Sequence, residues 1–433
     1  DIHVADPQYN SEQIIELMEQ GSARGVKVMV FPELCLTAYT CSDLFLQETL
    51  LKETKNGLKR ILQSSKSKDM VLFVGMPWMH KGKLYNVAAV VNRGRILGIV
   101  PKKHLPNYSE FYELRHFTPG MEKVEMTEWE GLQIPMGMKL LFSCRTMPEL
   151  VLAAELCEDV WVPCPPSISH ALAGATVIAN CSASDETTGK DRYRYDLICG
   201  QSARLVCGYI YANAGEGEST QDLVFGGRYI IAENGTCLVQ SDRFKNACIC
   251  ADMDLGRIIS ERRRMTTFKD EENKASSYET VYFELNTEDI TKKDSKKAGQ
   301  KNDEILRYID PAPFVPHDAG QRERRCEEIL SIQAMGLKKR LAHTNCKHAV
   351  IGLSGGLDST LALLVTIRAF DMLRIPRENI HCITMPCFGT TDRTYTNACT
   401  MAKKTGASLT EINIRDAVTG HFKDIAHDME KHD

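Results

Sequence analysis

Ser354-Gly355-Gly356-Leu357-Asp358-Ser359-Thr360 stands between the apolar run Ala349 to Leu353 and the apolar run Leu361 to Val365. This order reads as a strand, a tight loop and the start of a helix. Two consecutive glycines let the backbone approach a ligand closely, and the N–H groups of the opening helix aim partial positive charge at it. Ser354 and Ser359 can donate to phosphate oxygens, and Asp358 can ligate a magnesium ion on the same phosphates. The pattern is not that of a P-loop kinase, because no lysine follows the glycines.

Outward from this loop the chain continues as strand Ile380 to Pro386, helix Arg393 to Lys404, strand Leu409 to Ile414 and a final helix. Three parallel strands make half of an open α/β nucleotide-binding sheet, so residues 321–433 are expected to be the N-terminal part of a larger domain. A helix from Arg322 to His343 leads in, with apolar positions Ile329, Ile332, Leu337 and Leu341. The loop resembles the SGGxDS loop of the ATP pyrophosphatase superfamily, whose members adenylate a carboxylate or carbonyl oxygen and then admit a nitrogen nucleophile. The resemblance implies ATP and magnesium as cofactors. It places Gly352, Leu353, Ser354, Gly355, Gly356, Leu357, Asp358 and Ser359 around ATP, with Asp358 on the metal. Met385, at the end of the second strand, matches an adenine contact and reads equally as a core methionine.

Residues 1–256 alternate β and α segments. The short strands are apolar along their length: Val26 to Phe31, Val71 to Pro77, Asn86 to Val91, Leu150 to Glu155, Ala175 to Cys181 and Tyr209 to Ala214. Such strands imply sheets buried on both faces. Hairpin turns at Asn92-Arg93-Gly94-Arg95 and Glu233-Asn234-Gly235-Thr236 make part of the sheet antiparallel. The charged runs Lys269 to Lys274 and Lys292 to Lys297, with one strand-like piece from Thr280 to Leu285 between them, make 257–320 an expected linker. The absence of an initiator methionine leads to the further expectation that the apolar start of a first strand lies before Asp1.

Composition narrows the function classes. A chain of 433 residues exceeds one ordinary core. Lysine plus arginine number 53 against 57 aspartate plus glutamate, a formal net charge of −4, which argues against a nucleic-acid partner. The triplet Arg262-Arg263-Arg264 reads as a solvated helix face. Sixteen cysteines are scattered singly, which fits a reducing cytoplasm and neither a disulfide framework nor a zinc site. No apolar run reaches the ~20 residues of a membrane span.

One cysteine has unusual company. In Ala153-Ala154-Glu155-Leu156-Cys157-Glu158-Asp159-Val160-Trp161 it ends an apolar strand with carboxylates on both sides, whereas buried free cysteines are usually inert packing. Phe31-Pro32-Glu33-Leu34 ends another strand on a carboxylate, and Val100-Pro101-Lys102-Lys103-His104-Leu105 ends a third on an amine. Amide hydrolysis needs a thiol made nucleophilic by a nearby base, and fixed donors for the oxyanion.

Together these three segments resemble the nitrilase (carbon–nitrogen hydrolase) family over about residues 1 to 256. The resemblance implies an α-β-β-α sandwich, with Glu33, Lys102 and Cys157 as the catalytic set. Lys103 rivals Lys102, and the family pattern of lysine, any residue, His-Leu selects Lys102. Glu110 and Glu113 both follow at distances suited to a second, positioning carboxylate; Glu110 is preferred. Tyr39, Tyr108, Phe111, Glu158, Ser184 and Lys190 match glutamine contacts. Joined to the Ser-Gly-Gly-Leu-Asp-Ser domain, the chain resembles the glutamine-dependent NAD synthetases. That implies glutamine, ATP and deamido-NAD as substrates, a homo-oligomer paired through helical layers, and deamido-NAD contacts largely beyond Asp433. The alternative is a stand-alone nitrilase or amidase with an accessory nucleotide-binding domain.

Overall fold

A computed structural model describes residues 1–268, 277–286 and 305–427, which fall into two units, Asp1–Tyr308 and Ile309–Asp433. The first unit runs α1 (Pro7–Ala23), β1 (Val28–Val30), α2 (Glu48–Ser65), β2 (Val71–His80), β3 (Lys83–Asn92), β4 (Arg95–Pro101), β5 (Glu125–Trp129), β6 (Leu132–Met136) and β7 (Leu140–Cys144). It continues through β8 (Val151–Leu156), α3 (Pro166–Leu172), β9 (Val177–Ser182), α4 (Lys190–Leu205), β10 (Gly208–Asn213), β11 (Ile230–Glu233), β12 (Thr236–Gln240), α5 (Leu255–Arg264) and β13 (Glu279–Phe283). Among the described residues, these strands form a six-stranded sheet, ordered β1-β2-β3-β4-β6-β5, and a seven-stranded sheet, ordered β12-β11-β10-β9-β8-β7-β13.

Alternation along single strands shows why two sheets and two helical layers result. On β2, Val71 and Phe73 enter a core shared with Phe142, Leu152, Ala154 and Ala179 of the other sheet. Its neighbours Leu72, Val74 and Met76 turn the other way, onto Ile14 and Met18 of α1 and Leu58 and Ile61 of α2. On β8 and β9, Ala153 and Ile178 face Ala171 of α3 and Ile198 of α4. Because side chains alternate across a strand, each strand is apolar on both faces. The layers are therefore α-β-β-α, as the resemblance implied.

Both expected hairpins form. Arg93 and Gly94 (φ 46° and 78°), and Asn234 and Gly235 (φ 44° and 84°), carry the two positive φ values of a type I′ turn.

The expected linker departs from its reading. Helix α5 is tied to the first unit because the Arg262 guanidinium donates to the carbonyls of Ala175 (2.8 Å), Leu205 (3.0 Å) and Val206 (3.0 Å); Arg262 is therefore not simply solvated. β13 pairs in parallel with β7, and Phe283 and Leu285 are buried in the core between the sheets. The alternation of Val281, Phe283 and Leu285 makes this piece an edge strand. The charged runs Lys269 to Lys274 and Lys292 to Lys297 lie outside the described residues.

The second unit carries α6 (Ala319–Thr344), β14 (Ala349–Gly352), α7 (Leu357–Leu373), β15 (Ile380–Thr384), α8 (Asp392–Thr405), β16 (Ser408–Glu411) and α9 (Arg415–Asp424). Its strands are parallel in the order β14-β15-β16, and the core joins Leu341, Leu353, Leu363, Phe370, Cys382 and Ala398. Of the apolar positions expected to bury on α6, Leu341 does so, whereas Ile329 and Ile332 are exposed. No helix of the described residues is long and apolar enough to cross a membrane.

Candidate active site

Each of the three expected groups leaves the end of a strand, and one backbone bond joins the two sheets there. The Glu33 N–H donates to the Ser182 carbonyl of β9 (3.2 Å), while Leu36 N–H donates to the Gly75 carbonyl of β2 (3.2 Å). Gly75 is required there: a Cβ would stand 2.4 Å from both the Pro32 carbonyl and the Leu34 nitrogen. Lys102 follows β4, its N–H donating to the Asn86 carbonyl (2.8 Å). Cys157 opens a 3₁₀ turn directly after β8 with φ 39°, a left-handed conformation that costs a non-glycine residue energy and recurs at functional sites. Its N–H donates to Asn180 Oδ1 (3.1 Å).

Fully buried, the Lys102 ammonium donates to Glu33 Oε1 (2.7 Å) and Glu113 Oε1 (2.6 Å). Asn86 Nδ2 adds a 2.6 Å bond to Glu33 Oε1, and the Tyr39 hydroxyl a 2.8 Å bond to Glu113 Oε1. Burial works against the ammonium, yet Glu113 and Glu33 outweigh it and hold the Lys102 pKa well above its ordinary value. Burial pushes Glu113 up to about 7, reinforced by Glu33 and opposed by Lys102. Burial also raises the Cys157 thiol, as does Glu33, against Lys102 and a hydrogen bond with Ser182. Glu33 Oε2 and Glu113 Oε2 are buried without a hydrogen-bond partner among the described residues. Orphaned buried oxygens of this kind are costly unless a reactant completes them.

Of the two candidate carboxylates it is Glu113, not the preferred Glu110, that bonds Lys102. Two bonds fold the loop back, Phe111 N–H to the Tyr108 carbonyl (2.9 Å) and Glu113 N–H to the Pro106 carbonyl (3.1 Å), so Glu113 turns inward. Glu110 stays on the wall of an open cleft that Tyr39, Phe111 and Glu113 also line.

Tyr108 donates to Glu158 Oε1 (2.8 Å) and meets Phe111 edge-on at 6.2 Å. The Lys190 ammonium pairs with Asp185 and lies 5.9 Å from the Phe111 ring and 5.4 Å from the Trp161 ring. These four expected contacts adjoin one another in a chain, Glu158 to Tyr108 to Phe111 to Lys190. Ser184 is instead engaged by Asn213, through its N–H (2.7 Å) and carbonyl (2.9 Å), and by the Arg194 guanidinium at its hydroxyl (3.4 Å). Sequence reasoning missed Asn86 and Asn180, whose signal was a lone amide inside an apolar strand. It also missed Glu218, a buried carboxylate that accepts from the N–H groups of Tyr39 (2.8 Å) and Thr40 (2.9 Å).

In the second unit Gly355 has φ 80°, and a Cβ there would meet the Thr394 carbonyl at 1.9 Å. Ser354 Oγ accepts from Gly356 N–H (3.3 Å) and lies 3.1 Å from Ser359 Oγ. Gly352, Gly356, Leu357 and Asp358 are exposed around this turn. Leu353 is buried in the core, and Met385 is half exposed just past β15.

A family model described as carbon-nitrogen hydrolase matches residues 2–263, and one described as NAD synthase matches residues 329–432. The chain is 39% identical over 430 residues to a glutamine-dependent NAD(+) synthetase of Mycobacterium leprae, covering 98% of this chain and 62% of that protein. It is 27% identical to the corresponding protein of Aquifex aeolicus, covering 98% of this chain and 66% of the relative. It thus spans about three-fifths of the first relative's length. A crystal structure of a glutamine-dependent NAD(+) synthetase from Cytophaga hutchinsonii is similar in fold, with a TM-score of 0.52 at 22% identity over 98% of this chain and 65% of that one. With residues 2–263 matched to the family model and a buried glutamate, lysine and cysteine drawn from three strand ends, the chain belongs to the carbon-nitrogen hydrolase family.

Proposed function

We propose that the first unit hydrolyses the side-chain amide of glutamine through a thioester on Cys157. The observation that carries this reading is the buried cluster of Glu33, Lys102 and Glu113 beside the strained Cys157 turn. Glu33 takes the thiol proton as Sγ adds to the amide carbon; its unpartnered Oε2 is the acceptor. An ammonium has three N–H donors, two of which go to Glu33 and Glu113. The third serves the oxyanion together with the Glu158 N–H, since the Cys157 N–H is committed to Asn180. The C–N bond then breaks and ammonia leaves with the proton held by Glu33. Water, deprotonated by Glu33, opens the thioester and releases glutamate, and the proton returns to the thiol.

The NAD synthase match over residues 329–432 and the names of the relatives favour, over a stand-alone amidase, a function in which this ammonia amidates deamido-NAD to NAD. In that reading ATP is a substrate of the second unit, adenylating the acceptor carboxylate so that ammonia can displace AMP. The exposed turn fits such a ligand: Ser354 and Ser359 offer hydroxyls to phosphate oxygens, and Asp358, in the first turn of α7, offers a hard oxygen to magnesium. Tyr108, Phe111, Glu158 and Lys190 are proposed to hold glutamine. A homo-oligomer joined through the first unit, in the cytoplasm, belongs to the same proposal.

Ammonia release from glutamine by the chain and by its Cys157→Ala variant tests the glutaminase half. The variant should lose activity by at least about a thousandfold, as loss of a covalent nucleophile does. Retained hydrolysis would mean that another group is the nucleophile.

A further inference from the structure

Two of the groups in the proposed glutaminase stand on different sheets. Lys102 follows β4 of one sheet, and Cys157 follows β8 of the other. Between those strands lies an apolar core containing Val100, Ala154 and Leu156, whose contacts are non-directional. Such a core does not by itself fix two strand ends to within the fraction of an ångström that catalysis needs. One buried carboxylate supplies a directional tie between these two strand ends.

Asp159, at 1% exposure, accepts from both sides. Its Oδ2 takes the N–H of Leu156, the residue before Cys157 (3.1 Å), and the N–H of Lys103, the residue after Lys102 (3.4 Å). Its Oδ1 takes the N–H of His104 (2.9 Å) and faces His104 Nδ1 at 2.8 Å. Against a carboxylate, Nδ1 must carry the proton. The histidine of the lysine, any residue, His-Leu pattern therefore faces the Cys157 turn through Asp159.

We propose that Asp159 and His104 are positioning residues that fix the Lys102 ammonium relative to the Cys157 thiol by clamping the ends of β4 and β8 to one carboxylate. The proposal rests on the glutaminase reading for its kinetic consequence but not for its geometry. His104 does not touch the carboxylates of Glu33 or Glu113; its whole effect passes through Asp159. Removing the ring should displace Lys102 without removing any group that holds glutamine. An asparagine at 104 can donate from Nδ2 to the same oxygen, so it should restore the tie.

The test compares His104→Ala and His104→Asn with the parent chain, and adds Asp159→Asn, which keeps the volume and loses acceptors for the strand-end N–H groups. For glutamine hydrolysis, His104→Ala should lower kcat about tenfold with KM within about twofold, and His104→Asn should recover to within about threefold of the parent, as expected for loss and repair of alignment. Asp159→Asn should lose more than His104→Ala. A second readout needs no glutamine turnover: the rate of Cys157 alkylation by iodoacetamide against pH, followed by peptide mass spectrometry. With Lys102 displaced, the alkylation profile of His104→Ala should move to higher pH, while that of His104→Asn should stay with the parent. If the parent fails to hydrolyse glutamine yet the alkylation profiles separate in this way, the glutaminase reading falls and the clamp stands. Coincident alkylation profiles in all the variants, or equal kcat losses in His104→Ala and His104→Asn, overturn the clamp.

Discussion

At the scale of single residues, the choice between two glutamates three positions apart decides how the site responds to pH. Glu113 accepts from Lys102 and Tyr39, so the ionised form is the one its neighbours complete, while burial pushes its pKa up to about 7. Below that pH the carboxyl takes a proton and Lys102 loses an acceptor; above it the full set is present. The kcat/KM for glutamine should therefore fall as pH drops through about 7, and this acid limb should vanish in Glu113→Gln. The same variant should cost about a hundredfold near neutral pH through lost alignment of Lys102, while Glu110→Gln should stay within about threefold of the parent. A larger loss from Glu110→Gln would reverse the assignment. The sequence reading preferred Glu110, because which glutamate turns inward depends on two backbone bonds closing the loop at Phe111 and Glu113. No residue type announces those bonds. The lone cysteine flanked by acids was legible because its setting conflicts with inert packing.

At the scale of elements, strand ends were readable and the ties between them were not. Periodicity located β2, β3, β8, β9 and β10 and both hairpins, since a strand buried on two faces leaves an unbroken apolar run and Asn-Gly or Arg-Gly marks the turn. β13 was legible as a strand-like piece but not as a member of the sheet, because a short edge strand among charged runs reads as part of a connection; its place came from Phe283 and Leu285 in the core between the sheets. Contacts such as Glu33 to Ser182 join residues far apart in sequence, so no local pattern signals them. Gly75 shows the consequence. With the Pro32 carbonyl and Leu34 nitrogen each 2.4 Å from where its Cβ would be, Gly75→Ala must push the Glu33 turn off β2. Overpacking of this kind costs about 3 kcal/mol, and displacement of the base should cost about a hundredfold in glutamine hydrolysis. Denaturant unfolding and steady-state rates measure the two effects; a variant matching the parent in both would show that the turn can shift freely.

At the scale of the whole molecule, one chain carries a carbon-nitrogen hydrolase unit and a unit bearing an exposed Ser-Gly-Gly-Leu-Asp-Ser turn. The open parallel sheet was legible from the strand-loop-helix order around Ser354 and the doubly buried, partly antiparallel sheets from the strand pattern, while the α-β-β-α layering came from the resemblance. The unit division at Tyr308/Ile309 falls inside the expected linker 257–320, but packing carries α5 and β13, read as part of that linker, into the first unit. The sixteen cysteines supply an internal control for the central claim. Cys157 is buried, whereas Cys164, Cys326 and Cys346 are exposed, so a reagent that reads exposure and one that reads the proposed site select different residues. The most direct measurement is peptide mass spectrometry of the full chain after reaction with an electrophilic glutamine analogue, with glutamine as competitor. The account predicts an adduct on buried Cys157, suppressed by glutamine, ahead of the three exposed cysteines. Labelling that follows exposure, sparing Cys157 and indifferent to glutamine, would contradict it.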